Sequence, residues 1–274
     1  MLELPEAATL AAQAASLLAG RTVVAAEACH TAHKLTWYLD DPAGYADLLV
    51  GRTATGARSW GGHVELALDD DVLVVLSDGA VPRLLPPGAP VPERHQLRLD
   101  LDDGSVLVVT IAMYGGIQAF HDGENDNPYY LVARSAPSPL ADGFDASPLL
   151  TADGAARLSA KALLATGQRI PGLGNGVLQD ILWTAGVHPR RTVADLDDDA
   201  RRALVAAVPA VLRRMTADGG RDTERDLLGR PGGYATVLSR KTLELPCPRC
   251  GGRVTKEQYL GGAVYVCAAC QPLA

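Results

Sequence analysis

The chain has 274 residues and a net charge of −7 at pH 7, and 47% of its residues are hydrophobic. This length suits two domains, or one domain with a small module, and the composition excludes a globally disordered chain. The negative balance argues against binding nucleic acid through overall charge alone. No apolar run could span a bilayer and the chain does not open like a signal peptide, so we expect a cytoplasmic protein without membrane contact.

Residues 1–20 predict a helix. Pro5 suits the first helical position and Glu6 the first turn, and apolar residues at helical spacing follow until Gly20. The favourable charge at a helix start is one explanation for Glu3 and Glu6. A chemical role for the two carboxyl groups is the alternative.

Residues 21–135 have the pattern of β-strands, because short apolar runs alternate with turn signals. The regular spacing favours a sandwich or barrel on which the first helix packs, and we place the first domain at residues 1–134. The predicted strands are Thr22–Ala26, Lys34–Leu39, His63–Leu68, Val72–Leu76, Gln96–Leu101, Ser105–Ala112 and Tyr129–Ala133.

Residues 135–145 form a linker, and residues 146–239 predict a helical domain. One of its helices follows Asn175, which is preceded by the turn glycines Gly172 and Gly174. Such a turn presents backbone N–H groups and the positive end of the helix dipole to an anion, although an ordinary helix corner has the same pattern. The predicted helices are Ala155–Thr166, Gly176–Ala185, Asp197–Met215 with a break near Pro209, and Asp222–Leu228.

Residues 240–274 form a separate module with two C-x-x-C pairs, Cys247 with Cys250 and Cys267 with Cys270. Two such turns on a hairpin converge on a tetrahedral four-sulfur site, which predicts one structural Zn²⁺ ion. So short a module needs the metal because it cannot build a core. Disulfides are the alternative and are rare in the cytoplasm. The fifth cysteine, Cys29, is expected to be a small buried residue.

This order of elements resembles the formamidopyrimidine-DNA glycosylase / endonuclease VIII family over essentially the whole chain. The resemblance is carried by the opening Glu3–Glu6, by the stretch Pro171–Pro189, and by the cysteine hairpin that ends in Gln271. It implies an α+β multidomain fold: an N-terminal helix with a β-sandwich, a helix–two-turns–helix domain, and a C-terminal zinc hairpin.

Proteins of this family remove damaged bases from DNA and cut the strand at the abasic site. The resemblance therefore implies that double-stranded DNA, damaged or abasic, is the partner of a monomeric, nucleoid-associated protein. It implies that Glu3 is the catalytic acid and Glu6 its partner. The implied DNA contacts are Asn175 with its turn glycines Gly172 and Gly174, Lys161, and the locally basic Arg240 and Lys241.

The departures from the family pattern concern the nucleophile and two cationic contacts. Leu2 replaces the family's N-terminal proline, and its bulk leads us to expect that Met1 is retained. The Met1 amine is then a candidate nucleophile, displaced by one peptide unit of about 3.8 Å. The family's β-loop lysine aligns with Gly62, and its zinc-hairpin arginine aligns with Gly262.

Two functions follow from this pattern. The first is a DNA glycosylase of base-excision repair with weak or absent abasic-site lyase activity. The second is a catalytically inactive binder of damaged or distorted DNA. RNA binding is a third and weaker alternative, because a similar helix–turn–helix element occurs in a ribosomal protein family.

Overall fold

The structure, a computed structural model, describes residues 1–273, which divide into two units. The first unit consists of Met1–Arg134 together with Glu224–Pro231. The second consists of Ser135–Thr223 and the described residues from Gly232 onward. The segment Glu224–Pro231 thus folds with the first unit, although it lies within the helical region of the sequence. No helix within residues 1–273 is long and apolar enough to cross a membrane.

The first unit begins with helix α1 (Leu4–Leu17), whose N-cap residue is Glu3 and whose first turn contains proline. Gly20 follows at a φ of 78°, in the left-handed region that glycine favours. The helix buries Leu10, Ala11 and Ala14 in the core of the unit. Full burial of a leucine such as Leu10 stabilises the fold by about 1.5–3 kcal/mol.

Seven strands form one sheet in the first unit, in the order β1-β6-β7-β5-β4-β3, with β2 beside β7. The unit also contains two further helices, α2 (Tyr45–Leu49) and α3 (Pro128–Ser135). The strands are β1 (Val23–Ala28), β2 (Thr36–Trp37), β3 (Ala54–Trp60), β4 (His63–Leu68), β5 (Val72–Leu85), β6 (Leu97–Leu101) and β7 (Val106–His121).

The long strands β5 and β7 pair along both of their halves, and the register shifts between Asp78 and Ala80. Asp78 has a φ of 56°. At Gly79 a Cβ atom would lie 2.3 Å from the carbonyl oxygen of Tyr114, so only glycine allows this approach of the two backbones. The resulting bend lets the sheet fold over its own core, as in a sandwich. Alternate β5 and β7 residues, among them Val74 and Val109, point into that core.

Several sequence predictions for this unit need correction. Strand β3 was not predicted, because Gly56, Arg58 and Ser59 interrupt any apolar alternation. The predicted strand Tyr129–Ala133 is wrong, since these residues lie in helix α3. Its start is fixed by Asn127, whose Oδ1 accepts a hydrogen bond from the Tyr129 amide at 2.9 Å. The strand predicted at 34–39 is reduced to β2, whereas β5 and β7 extend well beyond the predicted ends.

The second unit contains four helices and a β-hairpin among its described residues. They are α4 (Ser147–Thr151), α5 (Ala160–Ala165), α6 (Asn175–Ala185), α7 (Asp198–Ala217), β8 (Val254–Tyr259) and β9 (Gly262–Cys267). Helix α5 begins later than predicted, because the Ser159 hydroxyl caps it by accepting from the Ala162 amide. Helix α7 continues through Pro209 without the expected break. Strand β9 packs against α6.

The helix predicted at Asp222–Leu228 is wrong, because local turns and side-chain contacts replace it. In the second unit, the Asp222 carboxylate accepts a hydrogen bond from the Thr236 hydroxyl at 2.9 Å. In the first unit, Leu227 is buried and its amide donates to Gln13 Oε1 at 2.9 Å. These contacts hold the segment in an irregular conformation, and a helix over the same residues could not make them.

Candidate functional site

The N-terminus of the first unit presents an amine and a peptide nitrogen in different surroundings. The α-ammonium of Met1 lies 2.6 Å from Glu224 Oε2. The backbone nitrogen of Leu2 donates a hydrogen bond to the carbonyl oxygen of Asp78 at 2.5 Å. The Leu2 side chain is buried in the core. With Met1 in place, the Leu2 nitrogen is an amide, whose lone pair is delocalised and is not a nucleophile.

Glu3 and Glu6 are both almost completely buried at the start of α1, with 3% and 4% exposure. The Glu3 side chain makes no capping hydrogen bond to the helix, although Glu3 is the N-cap residue. A helix-start role requires neither burial nor the desolvation that burial imposes on a carboxylate. A buried carboxyl group beside the chain start is instead suited to moving protons.

Tyr114 on β7 lies near Glu3 and near Asp78 at the bend of the sheet. Burial raises the pKa of the Tyr114 phenol, and the nearby carboxylates of Asp78 and Glu3 raise it further. The Tyr114 hydroxyl also contacts Met1 Sδ at 3.7 Å. Burial likewise raises the pKa of Asp78 itself. Sequence reasoning missed Asp78 and Glu224 as neighbours of the N-terminus, because only folding brings these distant positions together.

In the second unit, Asn175 is the first residue of α6, and both the oxygen and the nitrogen of its side-chain amide form hydrogen bonds. Its Oδ1 accepts from Lys161 Nζ at 2.7 Å, and its Nδ2 donates to the Ala263 carbonyl at 2.8 Å. Lys161 Nζ also donates to the carbonyl of Tyr259 at 2.7 Å. Lys161 is 3% exposed, and burial lowers the pKa of its ammonium. The two predicted residues are thus brought together beside the hairpin turn.

The hairpin approaches Asn175 closely at Gly262. A Cβ atom at this position would lie 3.3 Å from Asn175 Cγ, so a larger residue would crowd the asparagine. Gln179 completes the network: its Nε2 donates to the Ala263 carbonyl at 3.2 Å, and its Oε1 accepts from the Tyr265 amide at 3.0 Å. Sequence reasoning did not indicate this role, since Gln179 resembles any polar residue on a helix.

The turn before α6 has the geometry that its glycines suggest. Gly172 has a φ of 77°, and Gly174 is the N-cap residue of the helix in an extended conformation.

Of the two basic residues before the hairpin, Arg240 is exposed, while Lys241 pairs with Asp222 Oδ2 at 3.3 Å. In the first unit, Gly62 is buried in the tight turn between β3 and β4.

The four C-terminal cysteines form a cluster able to hold a metal ion, and all four are free thiols. Their Sγ atoms are 3.8 Å apart between Cys247 and Cys270 and 3.4 Å apart between Cys250 and Cys267. These separations are much longer than a disulfide bond of about 2.05 Å. They are close to the roughly 3.8 Å that tetrahedral thiolates around one ion require. The disulfide alternative is therefore wrong.

Neighbouring groups orient this cluster. Trp183 Nε1 contacts Cys247 Sγ at 3.4 Å, and the Gly252 amide contacts Cys250 Sγ at 3.4 Å. The fully buried Gln271 accepts from the Cys267 amide at 3.2 Å through Oε1 and donates to the Val187 carbonyl at 3.0 Å through Nε2. Hydrogen bonds of this kind fix the orientation of ligand side chains. They also tie the hairpin to the end of α6.

Solved structures share the fold of this chain. Lactococcus lactis Fpg in complex with abasic-site DNA matches with a TM-score of 0.83 and 24% identity, over 98% of this chain and 99% of that one. The same protein in complex with DNA containing N7-benzyl-Fapy-dG matches with a TM-score of 0.85, 21% identity and the same coverage. At these identities the likeness shows the fold: helix, β-sandwich, helical domain and C-terminal cysteine hairpin.

Sequence comparisons identify the family. The model of the formamidopyrimidine-DNA glycosylase N-terminal domain matches residues 1–136. A formamidopyrimidine-DNA glycosylase of Laribacter hongkongensis is 32% identical over 99% of this chain and 100% of its own length. One from Nocardia farcinica is 30% identical over 99% of this chain and 98% of its length. The chain therefore belongs to the formamidopyrimidine-DNA glycosylase family.

Proposed function

We propose that this chain is a DNA glycosylase that removes damaged bases from double-stranded DNA, with weak or absent strand cleavage at abasic sites. One observation carries the proposal. The nitrogen of Leu2, which stands where the family has its proline, is an amide that donates to Asp78, whereas the carboxyl group of Glu3 remains buried at the start of α1. Such a site keeps its proton-transfer group and lacks a strong amine nucleophile.

Base removal without an amine requires an activated water molecule. In the proposed reaction, Glu3 accepts a proton from water as the water oxygen bonds to the sugar C1′. The bond between C1′ and the damaged base breaks, and the base leaves with the bonding electrons and takes up a proton. Glu6, buried in the same helix start, supports Glu3. The product is an abasic site in an uncut strand.

Strand cleavage requires a Schiff base between an amine and C1′, with loss of water. The available amine is that of Met1, which is displaced by one residue from the family's position. It lies 2.6 Å from Glu224 Oε2, and this contact holds it at the Glu224 side chain. Misplacement alone can cost about a hundredfold or more in rate, so lyase activity should be weak.

The second unit supplies the proposed contacts to DNA phosphates. Lys161 and Asn175 lie together at the start of α6, behind the turn formed by Gly172 and Gly174. Lys161 offers three N–H donors, and two of them point to Asn175 and Tyr259. We include Arg240 and Lys241 as further cationic contacts. We propose that the protein acts at the nucleoid, where its DNA substrate lies.

The cysteine cluster is proposed to hold one structural Zn²⁺ ion. Four thiolates at tetrahedral spacing leave no position open for substrate, so the ion would fix the hairpin and take no part in the chemistry. Cys247, Cys250, Cys267 and Cys270 would be its ligands. The packing of the hairpin against Asn175 and Gln179 makes the phosphate-binding end of α6 dependent on that ion.

The second candidate function is binding of damaged or distorted DNA without chemistry. It is favoured by Gly62 and Gly262, which replace two cationic residues of the family pattern. Loss of these contacts would lower affinity and its salt dependence in either case.

Single-turnover base release over a panel of damaged bases decides between the two functions. We expect release from at least one lesion, and a loss of about a hundredfold to ten-thousandfold in the Glu3→Gln variant with DNA affinity unchanged. Glu93→Gln, at an exposed glutamate, is the matched control and should release bases at the parent rate. No release from any lesion, with parent and Glu3→Gln binding DNA equally, would establish the binder instead.

A further inference from the structure

Three side chains that take no part in the proposed chemistry meet beside β1 and β6 in the first unit. They are Glu27 on β1, His30 in the loop after β1, and His95 just before β6, and their potential ligand atoms lie within 4.8 Å of one another. Backbone hydrogen bonds hold the two loops together, from the Cys29 amide to the Gln96 carbonyl at 2.8 Å and from the Thr31 amide to the His95 carbonyl at 3.0 Å.

Cys29 is part of the same turn and differs from its sequence prediction. It is only half-buried, and its φ of 58° lies in the left-handed region. This conformation is uncommon for a residue other than glycine and turns the chain sharply after β1. The turn brings His30 back over the side chain of His95.

His95 is the central residue of this cluster, with an exposure of 3%. Its Nδ1 lies 2.8 Å from the Pro92 carbonyl oxygen, which can only accept, so Nδ1 carries the hydrogen. In the neutral ring, Nε2 then has a lone pair, and this buried atom has no hydrogen-bond partner within residues 1–273. The charged group that faces it is Glu27, whose Oε2 is 3.8 Å away. A buried lone pair opposite a carboxylate is unfavourable unless a proton or a metal ion lies between them.

Glu27 and His30 complete the surroundings of that position. The second carboxylate oxygen of Glu27 lies 2.8 Å from His30 Nδ1. The rings of His30 and His95 are stacked, with centroids 4.4 Å apart and an angle of 1° between planes. An ion bound in the plane of both rings requires them to tilt. His30 is 42% exposed, so it has room to rotate.

We propose that Glu27, His30 and His95 bind a divalent transition-metal ion, with zinc as the ion to test. Two imidazoles and one carboxylate form a common ligand set for such ions, with further positions left for water. The Pro92 carbonyl is the outer contact that typically fixes the tautomer of a ligand histidine. Arg98, across from Glu27 on β6, is paired with Asp100 at 2.7 Å. The bound ion would fasten the loop after β1 to the start of β6.

This site differs from the cysteine cluster in its donors, since it offers nitrogen and oxygen and no sulfur. Zinc content therefore separates the two. The full-length protein is dialysed against excess zinc, then against metal-free buffer, and its zinc is measured by mass spectrometry. The parent should retain about two ions per chain, one at each ligand set. His30→Ala and Glu27→Gln should each retain about one, and both replace side chains exposed enough for the fold to tolerate the change.

Two controls make the measurement specific. His121→Ala removes an exposed histidine outside the cluster and should leave zinc content at the parent value. Cys247→Ser should lose the thiolate-bound ion and keep the other. Added zinc should also raise the melting temperature of the parent more than that of His30→Ala. A parent that holds only the thiolate-bound ion would overturn the proposal, as would a His30→Ala variant with the parent's zinc content and zinc-dependent melting shift.

Discussion

Helices α1 and α6 both begin at a site proposed to act on DNA, but the two helix starts carry opposite charge. Two buried carboxyl groups, Glu3 and Glu6, lie at the start of α1. A buried ammonium, that of Lys161, lies at the start of α6 and is held by Asn175 and by the hairpin. The positive end of a helix dipole stabilises carboxylates, whereas a cation placed there strengthens the attraction for an external anion.

The two helix starts therefore suit different tasks in the proposed function. In the proposed site at the start of α6, Lys161 and Asn175 match the family pattern and pack against the hairpin. In the proposed site at the start of α1, the carboxyl groups of Glu3 and Glu6 are present, but Leu2 stands where the family pattern has its nucleophile. Under the proposal, the protein holds DNA and moves protons but lacks the amine that cuts the strand. Changes at one helix start should therefore leave the function of the other largely intact.

The largest expected effect is that of Cys247→Ser, which removes one ligand of the ion proposed to fix the hairpin beside the start of α6. Structural zinc contributes about 10–16 kcal/mol to the folding of isolated zinc modules, so the hairpin should unfold when a ligand is lost. Zinc measurements should show loss of the thiolate-bound ion, and DNA binding should weaken strongly. Cys29→Ser, outside the cluster, should retain that ion. Unchanged DNA affinity in Cys247→Ser would mean that the α6 site does not depend on the hairpin.

A smaller effect is expected for Lys161→Met, which separates a structural role from a phosphate contact. The variant leaves the Asn175 Oδ1 and the Tyr259 carbonyl without this donor, at a cost of about 1–3 kcal/mol per buried unpaired group. If Lys161 also contacts phosphate, DNA affinity should fall equally for all sequences, and the slope of log affinity against log salt should decrease by about one. The exposed Lys34→Met is the control. A lower melting temperature with an unchanged slope would restrict Lys161 to a structural role.

The smallest effect concerns the neighbourhood of the α1 site and depends on pH. Burial lowers the pKa of His63, while hydrogen bonding to the Trp60 carbonyl and the charges of Asp78 and Glu65 partly oppose this. Because the folded pKa lies below 6.5, the unfolded chain takes up the proton first as pH falls. The stability that His63 contributes is present above that value and is lost as pH falls through the folded pKa. His63→Gln should therefore reduce the drop in melting temperature on acidification, and an identical drop in both proteins would contradict this.

The sequence predicted those parts of the two sites that depend on local spacing. The C-x-x-C pairs indicated a converging four-sulfur cluster, and the turn before Asn175 indicated the start of α6. Both features need only a few consecutive residues to specify them. Pro5 with the following apolar stripe likewise predicted α1. For Glu3 and Glu6, the sequence left open whether they serve only as helix-start charges or take part in chemistry, and their burial favours a chemical role.

Contacts between residues far apart in sequence could not be predicted in this way. Three such contacts depend on tertiary structure. Met1 pairs with Glu224, the Leu2 amide donates a hydrogen bond to the Asp78 carbonyl, and Gly262 packs on Asn175. The segment around Leu227 shows the same limit. Its composition suits a helix, but its buried contacts with the first unit determine an irregular path.

Borohydride trapping on abasic-site DNA, with the parent compared to Leu2→Pro, tests directly whether the missing amine limits this site. Proline is small enough to permit removal of the initiator methionine, and intact mass establishes the N-terminus of each protein. We expect the parent, with Met1 retained, to form little covalent adduct, and Leu2→Pro, with an N-terminal proline amine, to form an adduct and cut the strand. A parent that retains Met1 and is trapped as completely as Leu2→Pro would contradict the proposed role of position 2.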